Sequence, residues 1–181
     1  PYCDYRWDHD YAINSTLLVP RIAAEPDVQL ALLLGDLAYA VGYAADWDVF
    51  GHQFQPAFSK WPVMAVPGNH ERDNVGTDAA MADASSDSGG ECNVPYTYRF
   101  YTPAATLWAR QPAVAKPHVP PRPGPLDPWR AYYAFNMGPV AYIMIDTDTP
   151  SHHGSPQWEY VADQLAKVRG GCVMGVTSDI Q

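Results

Sequence analysis

Two short apolar runs in this 181-residue chain each end in a glycine followed by polar residues, and a helical pattern separates them. The first run, residues 28–34, ends at Gly35-Asp36, and the second, residues 62–66, ends at Pro67-Gly68-Asn69. Between the runs, large aromatic residues recur at helical spacing: Trp47, Phe50, Phe54, Phe58 and Trp61. The pattern predicts a buried strand, an amphipathic helix and a second buried strand, which together form one crossover.

This crossover predicts that two polar loops meet. The 33 residues from Asp36 to Asn69 suit one strand-helix-strand unit. Right-handed crossovers bring the carboxyl ends of both parallel strands to the same sheet edge, so we expect Asp36 and Asn69 to face each other there. Open α/β sheets bind ligands at this edge. The loops that begin at Gly35 and Gly68 are therefore the first candidates for a functional site.

The remainder of the chain predicts further elements of an α/β fold. Residues 14–24 have a helical pattern in which Pro20 is tolerable within the first turn. Residues 131–135 and 140–146 predict a hairpin around the turn 136–139, and its second arm is expected to be buried.

A last helix is predicted to begin at Ser155-Pro156, because serine is a good N-cap and proline suits the first helical position. It is expected to stop at Gly170-Gly171. Its inward face is predicted to contain Trp158, Val161, Leu165 and Val168.

Two segments lack such patterns. Residues 103–128 contain eight prolines, which predicts an extended surface insertion and excludes a helix or an inner strand. Residues 76–91, rich in Ala, Ser, Asp and Gly, are predicted to be a loop.

Charge and hydropathy restrict the partners. The net charge is −9, which disfavours nucleic-acid binding and a polybasic membrane anchor. The longest apolar runs, residues 30–34 and 140–145, are far shorter than the roughly 20 residues of a membrane helix. We therefore expect neither nucleic acid nor membrane as a partner.

Two further features concern cellular location. Asn14-Ser15-Thr16 fits the N-glycosylation sequon and indicates a secreted or extracellular glycoprotein. The three cysteines, Cys3, Cys92 and Cys172, are too widely spaced for a metal knuckle and allow at most one internal disulfide.

The loop residues have the chemistry of a metal site. Asp36 and Tyr39 offer a carboxylate and a phenol, while Asn69, His70 and Glu71 offer an amide oxygen, an imidazole and a second carboxylate. Either loop alone is also the pattern of an ordinary turn or helix cap. Both loops at one sheet edge predict a metal-centred site.

These motifs resemble those of the purple acid phosphatases, in the calcineurin-like metallophosphoesterase superfamily. Residues 35–39 match the motif GDxxY and residues 68–71 match GNH[DE]. Further similarity to the large plant-type branch covers residues 40–43, 47–48, 72–73, 87–92 and 129–169. The resemblance implies an α/β fold with a metallophosphoesterase-type β-sandwich flanked by helices. It also implies that residues 1–181 form a partial catalytic domain, incomplete at both ends, with the Pro-rich insertion at 103–128.

The resemblance implies an acid phosphatase that hydrolyses small phosphate monoesters by metal-bound hydroxide. Its binuclear centre would hold Fe(III) and a divalent zinc, manganese or iron ion. By motif match, Asp36 bridges the metals, Tyr39 binds ferric iron and Asn69 binds the divalent ion. His70 is the catalytic donor to the phosphoryl group, and Glu71 orients it. The oligomeric state stays open.

Two alternatives remain. The family's DxG, VxxH and GHxH motifs supply further Asp and His ligands, but no strand followed by Asp-x-Gly precedes Gly35 here. By resemblance, residues 172–176 could begin the strand that leads to VxxH, but no His follows them in this sequence. The chain could therefore be a catalytically inactive pseudo-enzyme or a binding remnant of the same fold. The other alternative is a haloacid-dehalogenase-like phosphatase with magnesium, in which Asp146 of the Asp146-Thr147-Asp148 sequence is the nucleophile.

The other histidines are assigned to surfaces. His152 and His153 follow the strand that ends at Asp146 and are predicted to be solvent-exposed or to lie at a substrate rim, rather than to bind metal. His52 is predicted on the surface of the aromatic helix, and His118 belongs to the Pro-rich insertion.

Overall fold

The protein forms both helices and strands. A computed structural model describes residues 13–72, 91, 93–104, 131–168 and 172–177. The elements in chain order are α1 (Ile13–Ala24), β1 (Ala31–Leu34), α2 (Ala44–Phe58), β2 (Val63–Val66), a 3-10 turn (Asn69–Glu71), α3 (Val94–Arg99), β3 (Tyr133–Met137), β4 (Val140–Ile145), α4 (Pro156–Lys167) and β5 (Cys172–Thr177). The predicted α/β class is confirmed.

The predicted crossover is present. Strands β1 and β2 pair in parallel, from Ala31 opposite Val63 to Leu34 opposite Val66, and α2 connects them. Helix α2 ends at Phe58, so Trp61 lies beyond it. The two loops that follow β1 and β2 therefore leave the same edge of the sheet, as the sequence predicted.

Side chains alternate along each strand, so the β1–β2 sheet has two faces, and both are covered. One face packs against α2 through Leu33, Ala65, Trp47 and Phe50. The other face packs against the second sheet through Leu32, Val66, Tyr133 and Met144. The sequence predicted that β1 is buried, but Leu34, at the end of β1, is 42% exposed. An apolar layer therefore lies between the two sheets, and α2 covers the opposite face of the β1–β2 sheet.

The second sheet has the order β3-β4-β5. Strands β3 and β4 are antiparallel, and Asn136 and Met137 pair with Ala141 and Val140. The turn is therefore shorter than the predicted range 136–139, because strand pairing leaves only residues 138–139 as the connection. Strand β5 begins at Cys172, as the resemblance implied, and runs parallel to β4.

Helix α1 corrects the prediction for Pro20, which lies well inside the helix rather than in its first turn. An internal proline removes one helical hydrogen bond and costs about 3 kcal/mol. Tertiary packing offsets this cost, because Val19 and Ala23 are buried against Ala57 of α2. Lys60 Nζ also donates to the Ala23 carbonyl, 2.5 Å away, at the end of the helix.

Helix α4 begins as predicted, with Ser155 Oγ accepting a hydrogen bond from the Trp158 amide at 3.3 Å. Its predicted inward face was wrong at Trp158 and Leu165, which are 39% and 50% exposed. The buried position belongs to Gln157 instead. Its side-chain amide exchanges two hydrogen bonds of 2.9 Å with the main chain of Asp146, so the polar group is satisfied inside.

The remaining predictions fall largely outside the described residues. This holds for residues 76–90, for 105–128 and for Gly170-Gly171, whereas α4 itself ends at Lys167. At the start of the predicted surface insertion, Ala104 is instead buried in the shared core.

The sequon and the cysteines are partly described. The main chain of residues 14–16 lies in α1. Cys172 is an exposed free thiol, while Cys3 and Cys92 lie outside the described residues. Within the described ranges, none of the helices has the length and apolar content that a membrane span requires.

Candidate functional site

The loops after β1 and β2 approach each other through two glycines. A Cβ atom on Gly35 would lie 2.5 Å from Gly68 N, and one on Gly68 would lie 2.2 Å from Asp36 Oδ1. Gly35 also has φ +86°, which glycine adopts without strain. Both positions therefore need glycine, and their contact places Asp36 beside the second loop.

Glu71 joins the two loops. Its buried carboxylate accepts hydrogen bonds from Gly68 N at 2.8 Å, Asp36 N at 2.9 Å and Leu37 N at 2.8 Å. Burial raises the pKa of Glu71 to about 7, although these three N–H donors oppose the shift. The family resemblance implied that Glu71 orients His70, and in the structure the Glu71 carboxylate accepts hydrogen bonds from the main chain of both loops.

Three of the four predicted site residues lie together. Tyr39 Oη donates to Asp36 Oδ2 at 3.1 Å, and the main-chain N–H of His70 donates to Asp36 Oδ1 at 3.2 Å. The rings of Tyr39 and His70 lie 4.3 Å apart between centroids. Asn69, the fourth, is half-buried and opens the 3-10 turn directly before His70.

The loop that contains Asp36 and Tyr39 has an unusual backbone. Positive φ angles occur at Gly35, Asp36, Tyr39, Val41 and Gly42. A left-handed conformation costs a residue with a side chain about 1–2 kcal/mol, and it is most unusual for a β-branched residue such as Val41. Conformations of this kind persist only where the surrounding structure holds them, and they cluster at functional sites.

The far end of this loop contacts a second buried carboxylate, Glu91. Its Oε1 accepts from Gly42 N at 3.1 Å, and its Oε2 accepts from Trp47 Nε1 of α2 at 2.9 Å. Sequence reasoning gave Glu91 no role, because an acidic residue in a loop rich in Ala, Ser, Asp and Gly carries no periodic signal.

Asp146 is held in a buried ion pair. Its Oδ2 lies 2.5 Å from Arg72 Nη2, and Thr149 Oγ1 donates to the same oxygen at 2.6 Å. An attacking carboxylate must be accessible, whereas Asp146 is fully buried and fixed by its partners. These contacts argue against Asp146 as a nucleophile. Asp148, two residues later, has a raised pKa because of partial burial and the nearby Asp146 carboxylate.

The other described histidines are exposed, and His118 is outside the described residues. His52 is exposed on α2. His152 and His153 are exposed after β4, and the His153 ring lies 4.2 Å from the Trp158 ring. No group of three or more His, Cys, Asp or Glu side chains suited to a metal ion occurs among residues that the structure describes.

The sequence profile of the family "Calcineurin-like phosphoesterase" matches residues 9–165, which is most of the chain. This chain belongs to the calcineurin-like phosphoesterase family. The resemblance drawn from the two loop motifs is thereby confirmed.

Similar proteins carry purple acid phosphatase names. The chain is 32% identical to "Probable inactive purple acid phosphatase 24" of Arabidopsis thaliana, over 88% of this chain and 22% of that relative. It is 31% identical to "Nucleotide pyrophosphatase/phosphodiesterase" of Hordeum vulgare, over 75% of this chain and 30% of that relative. The chain therefore spans less than a third of the length of these relatives.

A solved structure supports the fold. The purple acid phosphatase PPD1 from yellow lupin (Lupinus luteus) seeds matches with a TM-score of 0.62 and 29% identity, over 87% of this chain and 23% of that chain. The metallophosphoesterase-type fold predicted from the motifs is confirmed by this likeness.

A dinuclear metal centre is implied by the family, and the residues of this chain fit part of one. Asp36 and Tyr39 present two oxygens 3.1 Å apart, and anionic oxygen is the donor that a hard trivalent cation prefers. Asn69 and His70 add an amide oxygen and an imidazole on the adjoining turn. The donors of the described ranges are fewer than two ions require.

Proposed function

We propose that this phosphoesterase contributes Asp36, Tyr39 and Asn69 as metal ligands, and His70 as the catalytic donor, to a site that hydrolyses small phosphate monoesters. The observation that carries the proposal is the 3.1 Å contact between Tyr39 Oη and Asp36 Oδ2, beside the His70 ring. Bound ferric iron with a zinc, manganese or iron partner would supply Lewis acidity that activates water and offsets the charge of the phosphate.

In this proposal, Asp36 and Tyr39 act as a pair of oxygen donors. The hydroxyl hydrogen of Tyr39 points to Asp36 Oδ2. Loss of this proton would leave two anionic oxygens side by side, the kind of donor pair that a hard cation prefers. The close pair supports a role in binding a hard cation.

His70 acts through its imidazole. Its main-chain N–H is bound to Asp36 Oδ1, so its backbone position relative to the metal ligand is fixed. An imidazole N–H can donate a hydrogen bond to a phosphoryl oxygen on which negative charge develops during displacement. This donor also helps an acidic protein of net charge −9 to accept a phosphate ester.

The site needs further ligands, which we propose come from outside the described residues. The full-length gene product is then an active phosphatase, and residues 1–181 alone are inactive or nearly so. The test compares both proteins after loading with Fe(III) and Zn(II), by metal analysis and by hydrolysis of p-nitrophenyl phosphate.

We expect about two metal ions per chain in the full-length protein, as for a two-metal site. Its visible tyrosinate-to-iron absorption should disappear in Tyr39→Phe, and hydrolysis should disappear in Asp36→Ala. Asp27→Ala, at an exposed residue, is the matched control. Absence of bound metal and of turnover in the full-length protein would refute the proposal. Turnover by residues 1–181 that survives Asp36→Ala would refute it as well.

An inactive binding protein is the second candidate. It is favoured by the relatives named "probable inactive" and by the small donor set of the described residues. In that case, calorimetry should detect binding of inorganic phosphate to the full-length protein, with no hydrolysis at any metal loading.

We also propose that the protein is secreted, on the support of the sequon at residues 14–16. Expression in a secreting eukaryotic cell should yield a glycosylated protein, and Asn14→Gln should remove the mass of one glycan. Secretion without any glycan at Asn14 would remove this support.

A further inference from the structure

A buried glutamate contacts each end of the loop that contains Asp36 and Tyr39. At its start, Glu71 accepts from Asp36 N at 2.9 Å and from Leu37 N at 2.8 Å. At its end, Glu91 accepts from Gly42 N at 3.1 Å and ties the loop to Trp47 in α2. Both carboxylates are at least 90% buried, so water competes little for these hydrogen bonds.

The conformation between these two ends needs external support. Asp36, Tyr39 and Val41 all have φ near +50°, where side chains are strained. If the terminal N–H groups lost their acceptors, the loop could relax toward negative φ. Relaxation would move Tyr39 Oη relative to Asp36 Oδ2 and would separate the Tyr39 and His70 rings.

We propose that Glu71 and Glu91 are positioning residues that hold residues 36–42 in this left-handed conformation, and thereby set the spacing of the Asp36 and Tyr39 oxygens. The expected effect on metal binding rests on the proposed function, whereas the expected effect on the loop conformation does not. Each claim can therefore be refuted without the other.

The two glutamates differ in what a glutamine can replace. Glu71 uses both oxygens, Oε1 for Leu37 and Oε2 for Asp36 and Gly68. A glutamine there keeps one acceptor and turns an NH₂ donor toward an N–H donor. Glu91 Oε1 accepts from Gly42 N at 3.1 Å, whereas Trp47 Nε1 lies 2.9 Å from Oε2 and 3.1 Å from Oε1. A glutamine at that position, with its carbonyl oxygen in place of Oε1, therefore keeps the acceptor of Gly42 N, although its NH₂ group faces Trp47 Nε1.

The first experiment measures amide hydrogen exchange in the metal-free, full-length protein. A buried N–H donor that loses its acceptor costs about 1–3 kcal/mol, so Glu71→Gln should accelerate exchange at Asp36 or Leu37, whichever faces the new NH₂ group, roughly 5- to 100-fold. Glu91→Ala should do the same at Gly42, and Glu91→Gln should restore most of the protection. Glu25→Gln, at an exposed glutamate, is the control.

Strand β4 provides the internal reference, because Ile143 and Met144 are buried in the core. Exchange that accelerates at the loop but not at these residues supports the proposal. Unchanged protection of Asp36, Leu37 and Gly42 in both Glu71→Gln and Glu91→Ala overturns it. If Glu71→Gln accelerates β4 as well, the protein has unfolded, and the comparison of Glu91→Ala with Glu91→Gln decides. Equal exchange at Gly42 in those two variants overturns the proposal.

The second experiment measures Fe(III) affinity and the wavelength of the tyrosinate absorption. Loss of a group that orients metal ligands typically weakens affinity about 10- to 100-fold, and we expect this in Glu71→Gln, with a shifted band. A merely structural role would leave the wavelength unchanged, and that result overturns the positioning role. If the unmodified protein has no such band while the exchange results hold, the proposed function fails and the loop assignment stands.

Discussion

The close contact between the main chains at Gly35 and Gly68 can be tested by Gly35→Ala, which adds one methyl group. Gly35→Ala would place Cβ 2.5 Å from Gly68 N and 2.6 Å from Gly68 Cα, both main-chain atoms that cannot rotate away. The φ of +86° costs alanine about 1–2 kcal/mol, and the steric conflict adds about 1–3 kcal/mol. We expect the free energy of unfolding to fall by about 2–5 kcal/mol, measured by urea denaturation followed by circular dichroism.

Gly154 provides the matched control. It has φ +82°, and a Cβ atom there would meet no atom within 4 Å. Gly154→Ala therefore measures the conformational cost alone, and Gly35→Ala should exceed it by about 1–3 kcal/mol. If the two variants lose equal stability, the loops do not meet at Gly35 as described, and the steric reasoning is refuted.

Three further predictions concern charged groups. Arg72→Met leaves the buried Asp146 carboxylate without its cationic partner and should lower the free energy of unfolding by about 3–5 kcal/mol. The double variant with Asp146→Leu should recover much of this loss in the same denaturation assay. A stability change of under 1 kcal/mol for Arg72→Met would contradict the buried ion pair. The pKa of Asp148 is raised in the folded state, so its neutral form stabilises the protein at low pH and this contribution is lost as the pH rises. Asp148→Asn should therefore raise the melting temperature at pH 7 but not at pH 3, and an equal effect at both would contradict this sign. Lys167→Ala removes an exposed ion pair with Asp163 and should change the unfolding free energy by less than about 1 kcal/mol, so a larger loss would show that the pair is not screened by solvent.

The crossover was predictable because its signals are local. Apolar runs of strand length, aromatic residues at helical spacing and the two terminal glycines each follow from nearby sequence. The same holds for Ser155 as the cap of α4. These signals suffice to place Asp36 and Asn69 at one sheet edge, which is the step on which the candidate site depends.

The contacts that shape the site could not be predicted because they join distant residues. Gln157 is buried in place of Trp158 because its amide pairs with the main chain of Asp146. Glu71 contacts the β1 loop 34 and 35 residues away, and Glu91 contacts Gly42 across 49 residues. No periodic pattern in the sequence indicates which backbone N–H groups a buried carboxylate will accept.

The ion pair between Arg72 and Asp146 also links the two halves of the sandwich mechanically. Arg72 follows His70 by two residues, and Asp146 opens the segment that leads to His153. A molecule that displaces residues 146–153 is therefore expected to displace the 3-10 turn that contains His70 as well. Under the proposed function, in which His70 is the donor, the position of this segment and the alignment of His70 are expected to change together, so substitutions around His153 should alter turnover.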